Sequence, residues 1–212
     1  MHESSRMKMK EFVRSYLSDV TGKPLEIIDL GAHAVDGADT YRPLFDVPGW
    51  QYRGLDLDAG MNVDIVVGDP YNWKELPDAS TDVLVSGQTL EHVEFPWLTV
   101  AEIARILRPG GVACLIAPAS GPEHRYPVDC WRIYPDGMRA LARHAGLRDV
   151  EVFTDWNQGR WKDTFAVFQK QHAAAPEDGS PIPVLGNRGV ADRTRAPSPR
   201  RKRSLSSLFR SK

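Results

Sequence analysis

Apolar positions recur at helical spacing near the start of the chain. Within RMKMKEFVRSYLSDV (6–20), Met9, Phe12, Val13, Tyr16, Leu17 and Val20 fall on one face, and Gly22 and Pro24 follow as stop signals. The pattern then changes to short apolar runs closed by polar or glycine residues. These predict buried strands at 25–30 (LEIIDL), 52–57, 63–67, 82–86 (DVLVS), 112–117 (VACLIA), 150–154 and 164–168. Two helical periods interrupt the runs. One covers 96–107, with Pro96 suited to the first position and Val100, Ile103 and Leu107 on one face, and ends at Arg108-Pro109-Gly110-Gly111. The other covers 136–145 and stops at Gly146.

Strands alternating with helices predict an α/β fold, with a mostly parallel seven-stranded sheet, doubly wound and Rossmann-like, and an antiparallel C-terminal strand. One spacing resists this pattern. About six residues separate the second and third strands, whereas a parallel crossover needs a dozen or more. Either a helix has shrunk to a loop there, or one of the two strands is wrong.

The net charge of −1 hides an asymmetry. Residues 173–212 hold seven Arg and two Lys against Glu177, Asp178 and Asp192, a charge of +6 that leaves −7 on residues 1–172. The same segment has five Pro and six Ser but only seven Leu, Ile, Val or Phe, too few to offset its ordering entropy. It is expected to be a disordered basic tail behind a domain at 1–172. The acidic domain argues against nucleic acid at the active site. No apolar run is long enough for a transmembrane segment. Cys114 and Cys130 make no disulfide framework, so a cytoplasmic location is the default expectation.

Three strand ends carry candidate chemistry. Asp29-Leu30-Gly31-Ala32-His33-Ala34-Val35-Asp36-Gly37 follows the first strand, where a glycine-bearing turn either admits a ligand to the backbone or serves the fold. It is not G-x-G-x-x-G. Asp56 ends the second strand and could accept both hydroxyls of a ribose. Asp69, in Gly68-Asp69-Pro70, either accepts from an exocyclic amine or starts a turn.

Together with Leu107-Arg108-Pro109-Gly110-Gly111, these motifs resemble the class I S-adenosylmethionine (SAM)-dependent methyltransferases, in particular the small type 11 group, over about 25–170. The resemblance implies SAM as cofactor, with Asp29, Gly31 and Gly37 at its methionine end, Asp56 at the ribose, Asp69 at the adenine and Gln88 nearby. The first loop departs from the group's glycine-rich pattern. It is similar to a subgroup that reads Gly-x-x-x-Val-Asn/Asp-Gly, found among methyltransferases of polysaccharide gene clusters, including the mycobacterial polymethylated-polysaccharide type.

Ser86-Gly87-Gln88-Thr89-Leu90-Glu91-His92 follows the fourth strand, where that family brings its acceptor. Transfer to an aliphatic hydroxyl requires alignment with the methyl and loss of a weakly acidic proton, to a histidine base or with help from a divalent metal. Gln88, Glu91 and His92 would share one face of a helical turn. The stretch looks like the Glu-x-x-Glu-His of ubiquinone-biosynthesis O-methyltransferases, which is associated with a metal ion. The alternative is that Glu91 and His92 only cap and pack the next helix. After the fifth strand, PASGPEHRYPVDCWRIYP (118–135) concentrates Glu123, His124, Arg125, Tyr126, Asp129, Trp131, Arg132 and Tyr134. Rings beside polar groups suit a polyhydroxylated ligand, or else close the core under solvated charges. The polysaccharide subgroup shows a very similar run. The expectation is therefore O-methylation of a sugar or oligosaccharide hydroxyl, the alternatives being methylation of another small molecule or of nucleic acid, or SAM binding without transfer. His92 or His124 would be the base, Mg²⁺ would sit at Glu91, His92, Glu123 and Asp129, and Arg125, Tyr126, Trp131 and Arg132 would meet the acceptor. The partner is a small-molecule or oligosaccharide acceptor, and the reading is compatible with a homodimer.

Overall fold

The computed structural model describes residues 3–37, 39–156 and 161–172. The basic tail expected at 173–212 lies outside the described residues. Seven strands form one sheet: β1 (Leu25–Leu30), β2 (Trp50–Asp56), β3 (Ile65–Val66), β4 (Thr81–Gly87), β5 (Leu107–Ser120), β6 (Leu147–Thr154) and β7 (Lys162–Lys170). Their order is β3-β2-β1-β4-β5-β7-β6. Pairing is parallel from β3 through β5, and β7 runs antiparallel to both β5 and β6. The Rossmann-like expectation with an antiparallel C-terminal strand describes this sheet.

The unbroken apolar runs of the strands have a simple cause. Alternate residues point to opposite faces, and both faces are covered. Val83, Val85, Cys114 and Ile116 pack with Met9, Phe12, Tyr16 and Leu17 of the N-terminal helix on one side. Leu84, Ala113 and Leu115 pack with Val100, Ile103, Met138 and Trp73 on the other. The first helix is not uniform. It is α-helical over Glu3–Phe12 (α1), widens to a π turn over Val13–Leu17 and tightens to a 3-10 turn over Ser18–Val20. The π turn carries Tyr16, whose hydroxyl donates to Glu151 Oε2 on β6 at 2.8 Å. Helix α2 (Pro96–Ile106) and helix α3 (Pro135–His144) cover the second face.

Most boundaries shift by a few residues from the sequence reading, and two shifts matter for the fold. Leu107 leaves α2 and begins β5, because Arg108-Pro109-Gly110-Gly111 forms an irregularity within the strand: Thr81 pairs with Leu107 and Val83 with Val112. The third strand shrinks from 63–67 to two residues. Both strands flanking the short connection are nevertheless present and parallel, with Leu55 opposite Ile65 and Asp56 opposite Val66. The crossover is a loop instead of a helix. It closes tightly because Gly54 has no side chain: a Cβ there would lie 1.9 Å from the Asn62 carbonyl oxygen. Gly54 also donates its N–H to Asp64 Oδ2 at 2.7 Å.

Gly54→Ala therefore forces the 57–64 loop off β2. Overpacking against backbone predicts a loss of about 1–3 kcal/mol, read as a lower urea midpoint. An unchanged midpoint would show that the loop moves freely.

Candidate active site

The carboxyl ends of β1, β2 and β4 open into one cavity of about 770 Å³, within the usual range for small-molecule sites. β1 and β4 are neighbours, but their outgoing loops serve opposite halves of the sheet, which is where open α/β sheets form a crevice.

At the β1–β2 end, Gly31 takes a φ of +75°, and a Cβ would fall 2.1 Å from Thr89 Oγ1. The absent side chain lets the loop after β4 pack on the loop after β1, and the hydroxyls of Ser86 and Thr89 both donate to the Leu30 carbonyl, at 2.9 and 3.2 Å. Asp56 Oδ2 accepts from the His33 N–H at 2.9 Å and Oδ1 from that of Leu57 at 2.7 Å. Its carboxylate is thus fixed in the cavity wall with lone pairs to spare for a ligand hydroxyl. Asp29 lies at the bottom of the wall and is only 3% exposed. Burial pushes its pKa up to about 7, although the Tyr52 hydroxyl donates to it. The Arg42 guanidinium lies over the Tyr52 ring, 4.7 Å from its centre.

Two expected cofactor residues stand outside the lining. Gly37 is exposed at the end of a 3-10 turn, where its φ of +70° serves the turn. Asp69 is exposed too, because its carboxylate folds back to accept the Tyr71 N–H at 2.8 Å. That is the turn-starting alternative. Val67, Pro70 and Trp73 line the cavity there instead.

At the β4–β5 end, Gln88 does not share a face with Glu91 and His92. It takes a left-handed φ of +60°, and only Leu90–His92 form a 3-10 turn. Its backbone N–H donates to Ile116 and its side-chain amide to Asp163 Oδ1 at 3.2 Å. Asp163, fully buried at the start of β7, also accepts from Ser4 Oγ of α1 at 2.6 Å. Tyr41, likewise buried, bonds Ser5 of α1 through its hydroxyl. The first helix is thereby latched onto the cavity by residues the sequence reading did not single out.

Glu91 is fully buried, and among the described residues neither carboxylate oxygen has a hydrogen-bond partner on another residue. Burial pushes its pKa up to about 8. His92 Nδ1 lies 2.6 Å from the Val128 carbonyl oxygen, and its Nε2 lies 3.8 Å from Glu91 Oε1. The His124 ring meets the His92 ring edge-on with centres 4.8 Å apart. Burial, together with the neighbouring His92, holds the His124 pKa below the ordinary imidazole range. Ligand atoms of Glu91, His92 and His124 all lie within 4.8 Å of one another.

The remaining loop residues divide by position. Arg125 and Tyr126 line the cavity with His92 and His124. Glu123, expected to bind metal, is exposed and accepts from Arg125 Nε at 2.8 Å. Asp129, also expected to bind metal, accepts from Arg132 at 2.6 and 2.8 Å and from the His124 N–H at 2.7 Å. The Arg132 guanidinium holds its carboxyl well below the usual range. Trp131 and Arg132, expected at the acceptor, are outside the lining. Trp131 Nε1 donates to the Val93 carbonyl at 2.9 Å, and Arg132 donates to that of Pro122 at 2.6 Å, so both brace the loop.

The raised Asp29 pKa has a consequence for stability. The folded chain holds that proton more tightly than the unfolded chain, whose ordinary value is 3.8. The resulting stabilisation is complete below about pH 4 and is lost as pH rises through about 7, on the order of a few kcal/mol. Asp29→Asn is expected to flatten the fall in urea stability across that window. A slope identical to the parent's would exclude Asp29 as its source.

Comparison with known proteins agrees with this geometry. Residues 22–115 match the family model described as a methyltransferase domain. An uncharacterized methyltransferase of Mycobacterium avium (strain 104) is 38% identical over 134 residues, which cover 56% of this chain and 49% of that protein. The chloroplastic 2-methyl-6-phytyl-1,4-hydroquinone methyltransferase 2 of Oryza sativa subsp. japonica is 30% identical over 108 residues, 47% of this chain and 30% of that protein. The chain thus spans at most about half the length of these curated relatives. Among solved structures, a SAM-dependent methyltransferase from Archaeoglobus fulgidus superimposes with a TM-score of 0.57 at 17% identity, over 78% of this chain and 95% of that one. The sequence similarity over 22–115 is thus to a methyltransferase domain, and the likeness to the solved structure shows a shared fold.

Proposed function

We propose that this protein is a SAM-dependent O-methyltransferase acting on a hydroxyl of a sugar or oligosaccharide, in polysaccharide biosynthesis. The observation that carries the reading is the two-ended cavity. Gly31 and the Asp56 carboxylate stand at one end, and His92, His124 and Tyr126 at the other. In this reading Asp56 accepts the ribose hydroxyls and the Gly31 turn admits the methionine portion. The acceptor enters beside Tyr126 and Arg125, an aromatic face and a cation suited to a polyhydroxylated ring. The acceptor oxygen attacks the methyl carbon in line. The S–CH₃ bond breaks with its electron pair left on sulfur, the O–CH₃ bond forms, and the hydroxyl proton is lost at the Glu91–His92–His124 cluster. Neutral acceptors also suit the net charge of −7 on residues 1–172.

A second reading has its own support. Phe95, Trp97 and Trp131 are exposed near the cavity, with ring centres 5.6 and 6.4 Å apart along the series. Such a rim, with the 30% identity to a hydroquinone methyltransferase, favours an apolar-tailed phenolic acceptor.

Labelled SAM offered with a panel of mono- and oligosaccharides and prenylated hydroquinones separates the two readings. Label on a carbohydrate is the expected result. His92→Ala and His124→Ala should each lower turnover by about 10²-fold or more with little change in the KM for SAM, and Asp56→Ala should raise that KM. Near-normal turnover in both histidine variants would remove the cluster from the reaction.

A further inference from the structure

We propose that Glu91, His92 and His124 form a binding site for a divalent transition-metal ion of the zinc, cobalt or ferrous-iron kind, in place of the oxygen-ligated Mg²⁺ site expected at Glu91, His92, Glu123 and Asp129. The first observation is the buried acid. Glu91 is 0% exposed and, among the described residues, both its oxygens lack a hydrogen-bond partner on another residue, an arrangement that is costly for a carboxylate unless a cation or donor meets it. The second is the orientation of the rings. The Val128 carbonyl at 2.6 Å can only accept, so it fixes the His92 proton on Nδ1 and the lone pair on Nε2. That Nε2 is the atom 3.8 Å from Glu91 Oε1. His124 Nδ1 faces Asp129 Oδ2 at 3.5 Å. Consecutive loop residues, Val128 and Asp129, thus hold the Nδ1 edges of the two rings, as backbone carbonyls and carboxylates commonly do for metal-bound histidines.

The donor set decides the ion. Two imidazoles and one carboxylate suit borderline metals, and a facial arrangement of this kind leaves coordination positions open. Mg²⁺ takes oxygen ligands in near-octahedral geometry, and the acids it would need are engaged elsewhere: Asp129 by Arg132 and the His124 N–H, Glu123 by Arg125. Ligand atoms about 2.0–2.2 Å from an ion are closer together than 4.8 Å, so binding would draw the loop carrying His124 toward Glu91. His92 and His124 line the cavity while Glu91 lies behind them, so the open positions face the acceptor. With an ion bound, His92 and His124 would act as its ligands and not as bases: the ion would lower the hydroxyl pKa, and the proton would pass to water at the cavity mouth in place of a histidine. That role rests on the proposed methyl transfer; the site itself does not.

The test reads the ion directly. The full chain, stripped with EDTA, is titrated with Co²⁺, Zn²⁺ and Mg²⁺ by calorimetry, and with Co²⁺ also by visible absorption. One Co²⁺ or Zn²⁺ per chain is expected, bound at least ~100-fold more tightly than Mg²⁺. Glu91→Gln and His124→Ala should each weaken Zn²⁺ binding by ~100-fold or more. Asp129→Asn, which leaves the ligands in place, should cost about 10–100-fold. Urea midpoints of the three variants show whether the fold survives, and His124→Ala alters a partly exposed ring should Glu91→Gln unfold the core. No stoichiometric binding, Mg²⁺ binding as tight as Zn²⁺, or Zn²⁺ binding unchanged in folded Glu91→Gln and His124→Ala would each overturn the site. Ion binding without methyl transfer would leave the site standing and overturn the proposed reaction. Undiminished transfer by the metal-free chain would overturn the ion's part in the reaction and leave both the site and the methyl transfer standing.

Discussion

The lateral pairing of β1 with β4 is the constraint on which the rest of the site depends. Ile27 to Leu30 lie opposite Val83 to Ser86 in parallel, so both strands deliver their C-terminal loops to the same edge of the sheet. Gly31 and Thr89 then meet at van der Waals limits, and the Leu30 carbonyl accepts from two hydroxyls of the β4 end. A side chain at 31 would separate these loops and with them the two halves of the cavity. The Asp56 carboxylate enters from the next strand over, oriented by the His33 and Leu57 N–H groups.

Around this junction the structure bears an electrostatic cost. Asp29 and Glu91 are both carboxyl groups nearly or wholly removed from water, and both are pushed toward the protonated form. Their surroundings differ. Asp29 receives the Tyr52 hydroxyl, so its burial is partly compensated within the fold. Among the described residues Glu91 receives no such side-chain donor and faces two imidazoles instead. Buried polar groups are ordinarily satisfied, and this exception falls beside His92 and His124, which line the cavity.

The loop of residues 121–134 shows how charge can be structural in a segment rich in chemistry. Asp129 and Arg132 form a two-toothed pair that anchors the His124 backbone, Arg132 also ties back to Pro122, and the Trp131 indole is tied to Val93. Only His124, Arg125, Tyr126 and Pro127 of this loop reach the cavity. The residues that look most reactive in a line of sequence divide into those that act at the cavity and those that hold the loop.

Much of the fold was legible because burial on both faces imposes unbroken apolar runs, and each of the seven runs became a strand. Glycine and acid at the ends of β1 and β2 marked one end of the cavity, since those positions follow from local order along the chain. The parts that were not legible depend on distance in space. The Asp69 carboxylate turns back on the Tyr71 N–H while that of Asp56 stands in the cavity wall, and Gln88 leaves the Glu91 face because its own φ is positive. Asp163, Tyr52 and Ser4 joined the site from far along the chain, with no motif to announce them. The sequence by itself determined a two-faced parallel sheet and the residues at its strand ends, because periodicity and chain order are one-dimensional. Only the tertiary structure decided that Glu91, His92 and His124 converge while Glu123 and Asp129 do not, because that choice rests on which partner each side chain reaches first.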